Sequence, residues 1–287
     1  MRSVFVTGDR GFIGKRLCRK LGEAGFQVKT LPSDIDLAVL PIEDFPSGRI
    51  DVIVHLAALL PGGGIDPFRL YLNNFRVTIN LIEMMVKRGI PRIIYANTYG
   101  YGKPEYLPVD ENHPVVPSSP YHSSKYLGER LLFDFSRLHG LQTVSLRIFN
   151  AYGPGQKGDF LVPSVLSDIL AGRDVVIRDG RSRRDYVFVD DVADAFIRGC
   201  RWRRKENAFF NIGSGQSHSN RVVAEKLIAL SGKCVKLIDR GVSRPGEIGD
   251  CVADISRAKW DLHWEPEFDI DAGLKQTVLE SLAERPR

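Results

Sequence analysis

Long apolar runs, paired cysteines and clustered histidines are all missing from this 287-residue sequence. No stretch approaches the roughly 20 apolar residues needed to cross a bilayer, so no membrane partner is expected. The opening Met1-Arg2-Ser3 runs straight into a β-rich segment, without the apolar core and cleavage site of a secretory leader. The four cysteines, Cys18, Cys200, Cys234 and Cys251, lie far apart and form no CxxC pair. Isolated thiols of this kind suit a reducing compartment, and a cytoplasmic protein is expected. The six histidines include no HxH or HxxxH pair, so no metal site is expected. Charge of one sign is also scarce: the net charge is only +5, with lysine and arginine scattered along the chain. The one dense run, Arg201, Arg203, Arg204 and Lys205, fits cations at a helix C-terminus facing solvent. With no helix-turn-helix, zinc-finger or RNA-binding signature, nucleic acid is not an expected partner. Repeats and low-complexity segments are absent as well.

The sequence has the means to build a large core, with 43% hydrophobic and 26% charged residues. Its length suits one large α/β unit or two domains. In the first half, short β-rich runs alternate with helix-period segments. Strands are expected at Ser3–Thr7, Gln27–Leu31, Asp51–Leu56, Arg92–Asn97 and Thr143–Phe149, and helices near Phe12–Ala24, Pro67–Arg88 and Ser119–His139. Ile13, Leu17 and Leu21 form the four-residue stripe of a helix packed on a sheet. Val52, Ile53 and Val54 run without alternation, as in a strand buried on both faces. Strand–helix–strand repetition predicts a Rossmann-type, doubly wound parallel sheet of the α/β class. After about residue 150 the rhythm loosens among Gly–Pro segments, with helices near Phe160–Ala171, Asp190–Arg201, Arg221–Leu230 and Ile270–Ala283. This division predicts a dinucleotide-binding domain over residues 1–150 and a smaller, interleaved substrate-binding region over 151–287. Part of 186–213 is expected to return to the first domain.

Two motifs carry chemistry. Thr7-Gly8-Asp9-Arg10-Gly11-Phe12-Ile13-Gly14 follows the first strand and opens the first helix, the context that gives a glycine fingerprint meaning. Gly8 permits a tight turn, Gly11 lets backbone N–H groups approach a pyrophosphate, and Gly14 lets helix and strand pack closely. Tyr121-His122-Ser123-Ser124-Lys125 puts a tyrosine and a lysine on one helix face. A free phenol, with a pKa of about 10, is a poor base at neutral pH. A neighbouring ammonium and a cationic nicotinamide would lower that value. The pair Asp190-Asp191 reads as a helix N-cap with an acidic first turn rather than as a paired-carboxylate site.

With these motifs in place, the sequence resembles the extended short-chain dehydrogenase/reductase family, in particular its nucleotide-sugar epimerase, dehydratase and reductase branch. The resemblance runs through Gly8–Gly14, the segment Asp51 to Ala58, Asn74 ahead of Thr78 and Asn80, and Pro120-Tyr121 through Lys125 to Gly128-Glu129. It continues through Leu146-Arg147-Ile148-Phe149-Asn150-Ala151-Tyr152-Gly153-Pro154 and Arg184-Asp185-Tyr186-Val187-Phe188-Val189-Asp190-Asp191. It ends with Arg244-Pro245-Gly246-Glu247 before Asp254 and Trp264.

The resemblance implies that Tyr121 is the general acid/base and that Lys125 holds the nicotinamide ribose while tuning Tyr121. It implies a cofactor site built from Gly8, Arg10, Gly11, Phe12, Ile13, Gly14, Asp34, Leu56, Ala57, Ala58 and Asn74 together with that pair. A hydroxyl beside the substrate oxygen is expected after the fourth strand. Counting forward from the strand selects Thr98, counting back from Tyr101-Gly102 selects Asn97, and Thr98 is preferred because only it supplies the hydroxyl. Dehydratases of the family carry acidic residues directly after this position; here Tyr99 and Gly100 follow, which disfavours that reaction. The cofactor implied is NAD or NADP. The usual ribose-binding acid falls near Pro32; Asp34 beyond it is either the replacement or an ordinary turn carboxylate, and Arg10 is either a 2′-phosphate contact or simply exposed, so NAD and NADP are nearly even with a slight lean to NADP. Asn150, Arg184 and Arg244 fall where relatives contact the diphosphate and nucleotide of a nucleotide-sugar. The short chain, weak NAD signature and missing dehydratase acids favour a 4-keto reductase. A 4-epimerase that retains NAD is the alternative, and a non-catalytic dinucleotide sensor is the reading from another class. A homodimer through the helices near Pro67–Arg88 and Ser119–His139 is implied by the resemblance alone.

Overall fold

Hydrophobic strands that alternate with amphipathic helices have one economical solution, a parallel sheet covered on both faces. The computed structural model, which describes residues 2–32, 34–100, 102–204, 206–243 and 246–283, has that arrangement. Its first half runs β1 (Ser3–Thr7), α1 (Phe12–Glu23), β2 (Gln27–Lys29), β3 (Val52–His55), α2 (Pro67–Arg88), β4 (Arg92–Thr98), α3 (Pro120–His139) and β5 (Gln142–Ile148). The second half continues with β6 (Asn150–Tyr152), α4 (Leu161–Leu170), β7 (Val175–Ile177), β8 (Arg183–Phe188), α5 (Val189–Arg201) and β9 (Ala208–Ile212). It ends with β10 (Ser217–Ser219), α6 (Asn220–Ser231), β11 (Leu237–Asp239), α7 (Ser256–Asp261) and α8 (Ile270–Ala283).

The large sheet has the order β2-β1-β3-β4-β5-β9, with every pair parallel. The order reverses between β1 and β3, so the crevice for a ligand opens at the C-terminal ends of those two strands. Each face has its own core. Phe5, Ile53, Ile93 and Tyr95 pack against Val77, Leu81 and Met84 of α2 and Leu132 of α3. Val4, Val6, Val52, Val54 and Ile94 pack the other way, against Leu17 and Leu21 of α1 and Val192 and Phe196 of α5. Ile53 thus faces one layer while Val52 and Val54 face the other, which is why the run carries no alternation. Helix α2 begins where its sequence places it: Pro67 takes the first turn, and the Asp66 carboxylate accepts from the Arg69 N–H at 3.0 Å.

The second half forms a three-stranded sheet, β10-β8-β6, and a two-stranded one, β11-β7. Its own core gathers Val165 and Ile169 of α4, Val223 and Leu227 of α6, and Leu274 and Val278 of α8. The segment from 186 divides: β8 stays in the three-stranded sheet, whereas α5 covers the large sheet and β9 pairs with β5. Strand β2 stops at Lys29, short of Leu31; it lies at the edge of the sheet, and among the described residues it pairs with β1 alone. The cap of α5 is also corrected. It is Phe188, and the Asp191 carboxylate instead accepts from the N–H groups of Glu267 (2.9 Å) and Phe268 (3.2 Å), tying the C-terminal segment to α5. Among the described residues no helix is long and apolar enough to cross a membrane.

Candidate active site

The crevice begins at the glycine loop. Gly8 sits at φ +74°, and a Cβ there would lie 2.7 Å from the Ala57 nitrogen, so the loops after β1 and β3 touch through bare backbone. At Gly14 a Cβ would reach 2.1 Å from the Gly8 carbonyl oxygen, which forces α1 and the loop together. Gly11 caps α1 with no side-chain hydrogen bond, leaving first-turn N–H groups directed at the crevice. This is a cradle that side chains would fill, and it fits the pyrophosphate of a dinucleotide. Thr7 braces it: Thr7 Oγ1 accepts from Ala57 N at 3.2 Å and meets His55 Nδ1 at 2.9 Å, while Leu56 N donates to Thr7 O. Ala58 continues this half-buried wall. Phe12 and Ile13 are half-buried; both pack against the core of the second half, and Ile13 also against that of the first. Arg10 is largely exposed, with an Asp9 carboxylate oxygen 4.0 Å from its Nε, and Asp34 is exposed in the turn after β2.

Helix α3 delivers the tyrosine and lysine. Pro120 opens it, and the Ser119 hydroxyl accepts from His122 N at 3.2 Å. Lys125 is buried, with Nζ 4.0 Å from the centre of the Tyr95 ring, while Tyr95 Oη donates to Lys125 O at 3.2 Å. Burial pushes the ammonium pKa down to about 7, with Glu129 opposing. Burial also pushes the Tyr121 phenol up to about 12, opposite to the depression anticipated from a neighbouring ammonium. The ammonium lies against an aromatic face, and desolvation decides both values. Asn74 ties the parts together. Its Oδ1 accepts from Leu59 N at 2.7 Å, and its Nδ2 donates to Leu59 O and to Ser124 Oγ, both at 3.1 Å. One buried amide therefore joins the loop after β3, α2 and α3.

The choice between Asn97 and Thr98 has a geometric side. The Asn97 side chain is buried and occupied, donating to Glu129 Oε2 at 2.7 Å and accepting from Thr98 N at 2.8 Å. The Thr98 hydroxyl makes no hydrogen bond to any described residue and is half-buried at the end of β4. Tyr99 stacks on Phe149 at 4.8 Å and donates to Asn150 Oδ1 at 3.1 Å, so the first position where a dehydratase carries an acid is filled by a half-buried tyrosine. Beneath this strand end lies a network that sequence reasoning left without a role. Arg147 forks onto Glu129 at 2.5 and 3.1 Å, Ser145 donates to the same carboxylate, and both charged side chains are nearly inaccessible. Glu129 and Arg147 stand in the family blocks, but their pairing across 18 residues has no spacing signal. Removing one partner would leave an uncompensated buried charge.

On the substrate side, Asn150 and Arg184 already have partners. Asn150 Nδ2 donates to Asp185 O at 3.0 Å, and its oxygen receives Tyr99. Arg184 pairs with Glu247 and donates to Ile248 O at 2.7 Å. Arg244 lies outside the described residues. The residue that organises this side is Asp185, fully buried on β8. It accepts from Ser214 N (2.5 Å), Ser214 Oγ (2.8 Å), Gly215 N (3.0 Å) and Ala253 N (3.1 Å), although burial still pushes its pKa up. It holds the loop after β9 and the segment at Ala253 beside Arg184.

Comparison with known proteins completes the picture. A "Putative UDP-glucose 4-epimerase" of Methanocaldococcus jannaschii is 33% identical over 96% of this chain and 97% of its own length. The UDP-glucose 4-epimerase of Thermotoga maritima, solved with UDP-glucose, is 30% identical with a TM-score of 0.87, covering 98% of this chain and 99% of that one. The Thermus thermophilus UDP-glucose 4-epimerase, solved with NAD, is 27% identical with a TM-score of 0.88, covering 99% and 100%. Residues 4–213 match the model of the family described as NAD dependent epimerase/dehydratase. This chain belongs to the NAD dependent epimerase/dehydratase family of short-chain dehydrogenase/reductase-type enzymes.

Proposed function

We propose that the protein is a nucleotide-sugar 4-epimerase that acts on a UDP-hexose and retains NAD through the cycle. The observation that carries this reading is the end-to-end similarity to UDP-glucose 4-epimerases in a chain that keeps Thr98, Tyr121 and Lys125 and has no acid after Thr98. It displaces the 4-keto reductase that the sequence favoured. NAD is likewise preferred to NADP, given the NAD-bound relative and the outward position of Arg10.

Bound nicotinamide would supply reversible oxidation of the sugar C4 carbinol. Tyr121 takes the C4 hydroxyl proton and later returns it, and Thr98 donates a hydrogen bond to the same sugar oxygen. Lys125 would hold the nicotinamide ribose, where its charge would lower the Tyr121 pKa. The glycine cradle and Asn74 fix the dinucleotide end, while Asn150, Arg184 and Arg244 take the diphosphate and nucleotide.

A homodimer is part of this proposal. Phe68, Leu72, Ile79 and Val86 are exposed along one stripe of α2, with the half-buried Phe75 between them. Their spacings of four and seven residues make an apolar seam opposite the face that packs on the sheet. Sedimentation of the purified protein as a dimer, lost on Ile79→Glu, is the expected result.

The test of the reaction is to release bound nucleotide by denaturation, then incubate native protein with UDP-glucose and no added cofactor. Retained NAD and formation of the 4-epimer are expected. Turnover that consumes NADPH stoichiometrically would return the assignment to the reductase, and binding without turnover would return it to the sensor.

A further inference from the structure

Gly100 lies two residues beyond Thr98, and its φ is outside the left-handed region, so its backbone alone does not require glycine. What excludes a side chain there is His122. A Cβ on residue 100 would sit 2.7 Å from His122 Cγ, 2.8 Å from Cβ and 2.9 Å from Cδ2. The imidazole occupies the volume that a side chain at position 100 would take.

That ring is held from its own side. The His122 N–H is bound by the Ser119 cap, and Nδ1 lies 3.1 Å from Ser118 Oγ. Its centre is 5.7 Å from that of the Tyr121 ring. The loop is held from the opposite side, through Tyr99 stacked on Phe149 and bonded to Asn150. The strand end that presents Thr98 is therefore pressed between β5–β6 and His122, which stands on the helix turn that presents Tyr121.

We propose that His122 is a positioning residue, a steric spacer whose ring sets the separation between the Thr98 hydroxyl and the Tyr121 phenol. This rests on the roles given to Thr98 and Tyr121 above, and it adds a residue to which neither the motif nor the family comparison assigns a function. The pair at 100 and 122 forms one contact: a ring on the helix and no side chain on the loop.

The test is a double-mutant cycle of Gly100→Ala and His122→Gly, read by kcat for UDP-glucose epimerisation and by melting temperature. Gly100→Ala alone is expected to lower kcat about 30-fold and the melting temperature by about 5 °C, because overpacking must shift the loop. In the His122→Gly background the same substitution should change both by little. His122→Gly alone should lower kcat about tenfold, leave NAD affinity unchanged, and leave the KM for UDP-glucose within about threefold. His122→Phe, which keeps a ring and lacks the nitrogens, should restore kcat to within about threefold of the parent. Losses that multiply across the cycle, or a His122→Phe enzyme as slow as the His122→Gly one, would overturn the proposal. Parent protein that epimerises no UDP-hexose would sink the assigned reaction instead, and the melting cycle would still report whether the contact exists.

Discussion

The two banks of the crevice hold their polar groups differently. On the dinucleotide bank, Asn74 is engaged by Leu59 and Ser124, but the other groups assigned to the ligand are lightly held. The first turn of α1 has no side-chain cap, the Thr98 hydroxyl has no described hydrogen-bond partner, and Lys125 rests on the Tyr95 ring instead of a carboxylate. On the sugar-nucleotide bank, Asn150 and Arg184 are engaged by Tyr99, Asp185 and Glu247. A ligand on the first bank has few existing hydrogen bonds to break, whereas a ligand on the second must share or displace existing partners. The largest effects of substitution are therefore expected on the first bank, and effects on the second should fall mainly on KM.

Tyr121→Phe is the strongest test. It should cut turnover by about 10²–10⁴-fold, the range for loss of a general acid/base, while equilibrium NAD binding stays unchanged. Turnover that survives this change would remove the chemistry from the first bank altogether. Next comes Gly14→Ala, whose methyl would lie 2.1 Å from the Gly8 carbonyl. Backbone cannot step aside as a side-chain end can. A loss of about 1–3 kcal/mol in stability is expected, with NAD affinity down by roughly tenfold or more, in paired melting and binding titrations. Normal NAD affinity in this variant would mean that the cradle is structural only.

How legible each bank was in the sequence follows from the same contrast. The glycine loop and the Tyr121–Lys125 pair are local patterns, set by strand-to-helix position and helix spacing, so residue order alone reveals them. The parallel sheet was legible for the same reason: the run at Val52–Val54 and the stripe of Leu17 and Leu21 report burial directly. Elements built from distant partners were not. Strands β6, β7, β10 and β11 have three residues each, too few for a period to show. The Glu129–Arg147 pair, the four donors around Asp185 and the packing of His122 on Gly100 all join segments whose proximity only the fold creates. Arg184 was legible as a cation, but its pairing with Glu247, 63 residues away, was not.

That ion pair offers a smaller test, aimed at the second bank. Arg184→Ala should raise the KM for UDP-glucose about tenfold, the loss of a charge-assisted phosphate contact, with kcat and NAD affinity little changed. Glu247→Gln removes the internal competitor and keeps its shape. Its KM should fall or hold, and its stability should drop by less than about 1 kcal/mol, because the pair is partly solvated. Were both variants to lose stability equally with KM unmoved, Arg184 would be a strut and the second bank would lose its cation.

A pH dependence led by the first bank is the last test. Lys125 has an ordinary pKa of 10.5 in the unfolded chain, and burial pushes it down to about 7 in the folded one. Between those values the unfolded chain holds a proton that the folded chain has released, so stability rises with pH there. Below about 7 both states are protonated, and the cost of burying the ammonium is constant and full. The upper end of the window is set by other groups. Burial pushes the thiols of Cys18, Cys200 and Cys251 and the phenol of Tyr121 up to about 11–12, so above about pH 9 the folded chain holds protons that the unfolded chain loses, and the slope reverses. Denaturant unfolding of cofactor-stripped protein should therefore gain on the order of 1–2 kcal/mol between about pH 7 and 9. Lys125→Met, which keeps the stem on the Tyr95 ring and removes the titrating group, should be flat across that window. Saturation with NAD should flatten the parent as well, because a bound ribose gives the ammonium a reason to stay charged. A parent curve that is already flat without NAD would mean that Lys125 keeps its proton against the Tyr95 face, and the first bank would then be charged before its ligand arrives.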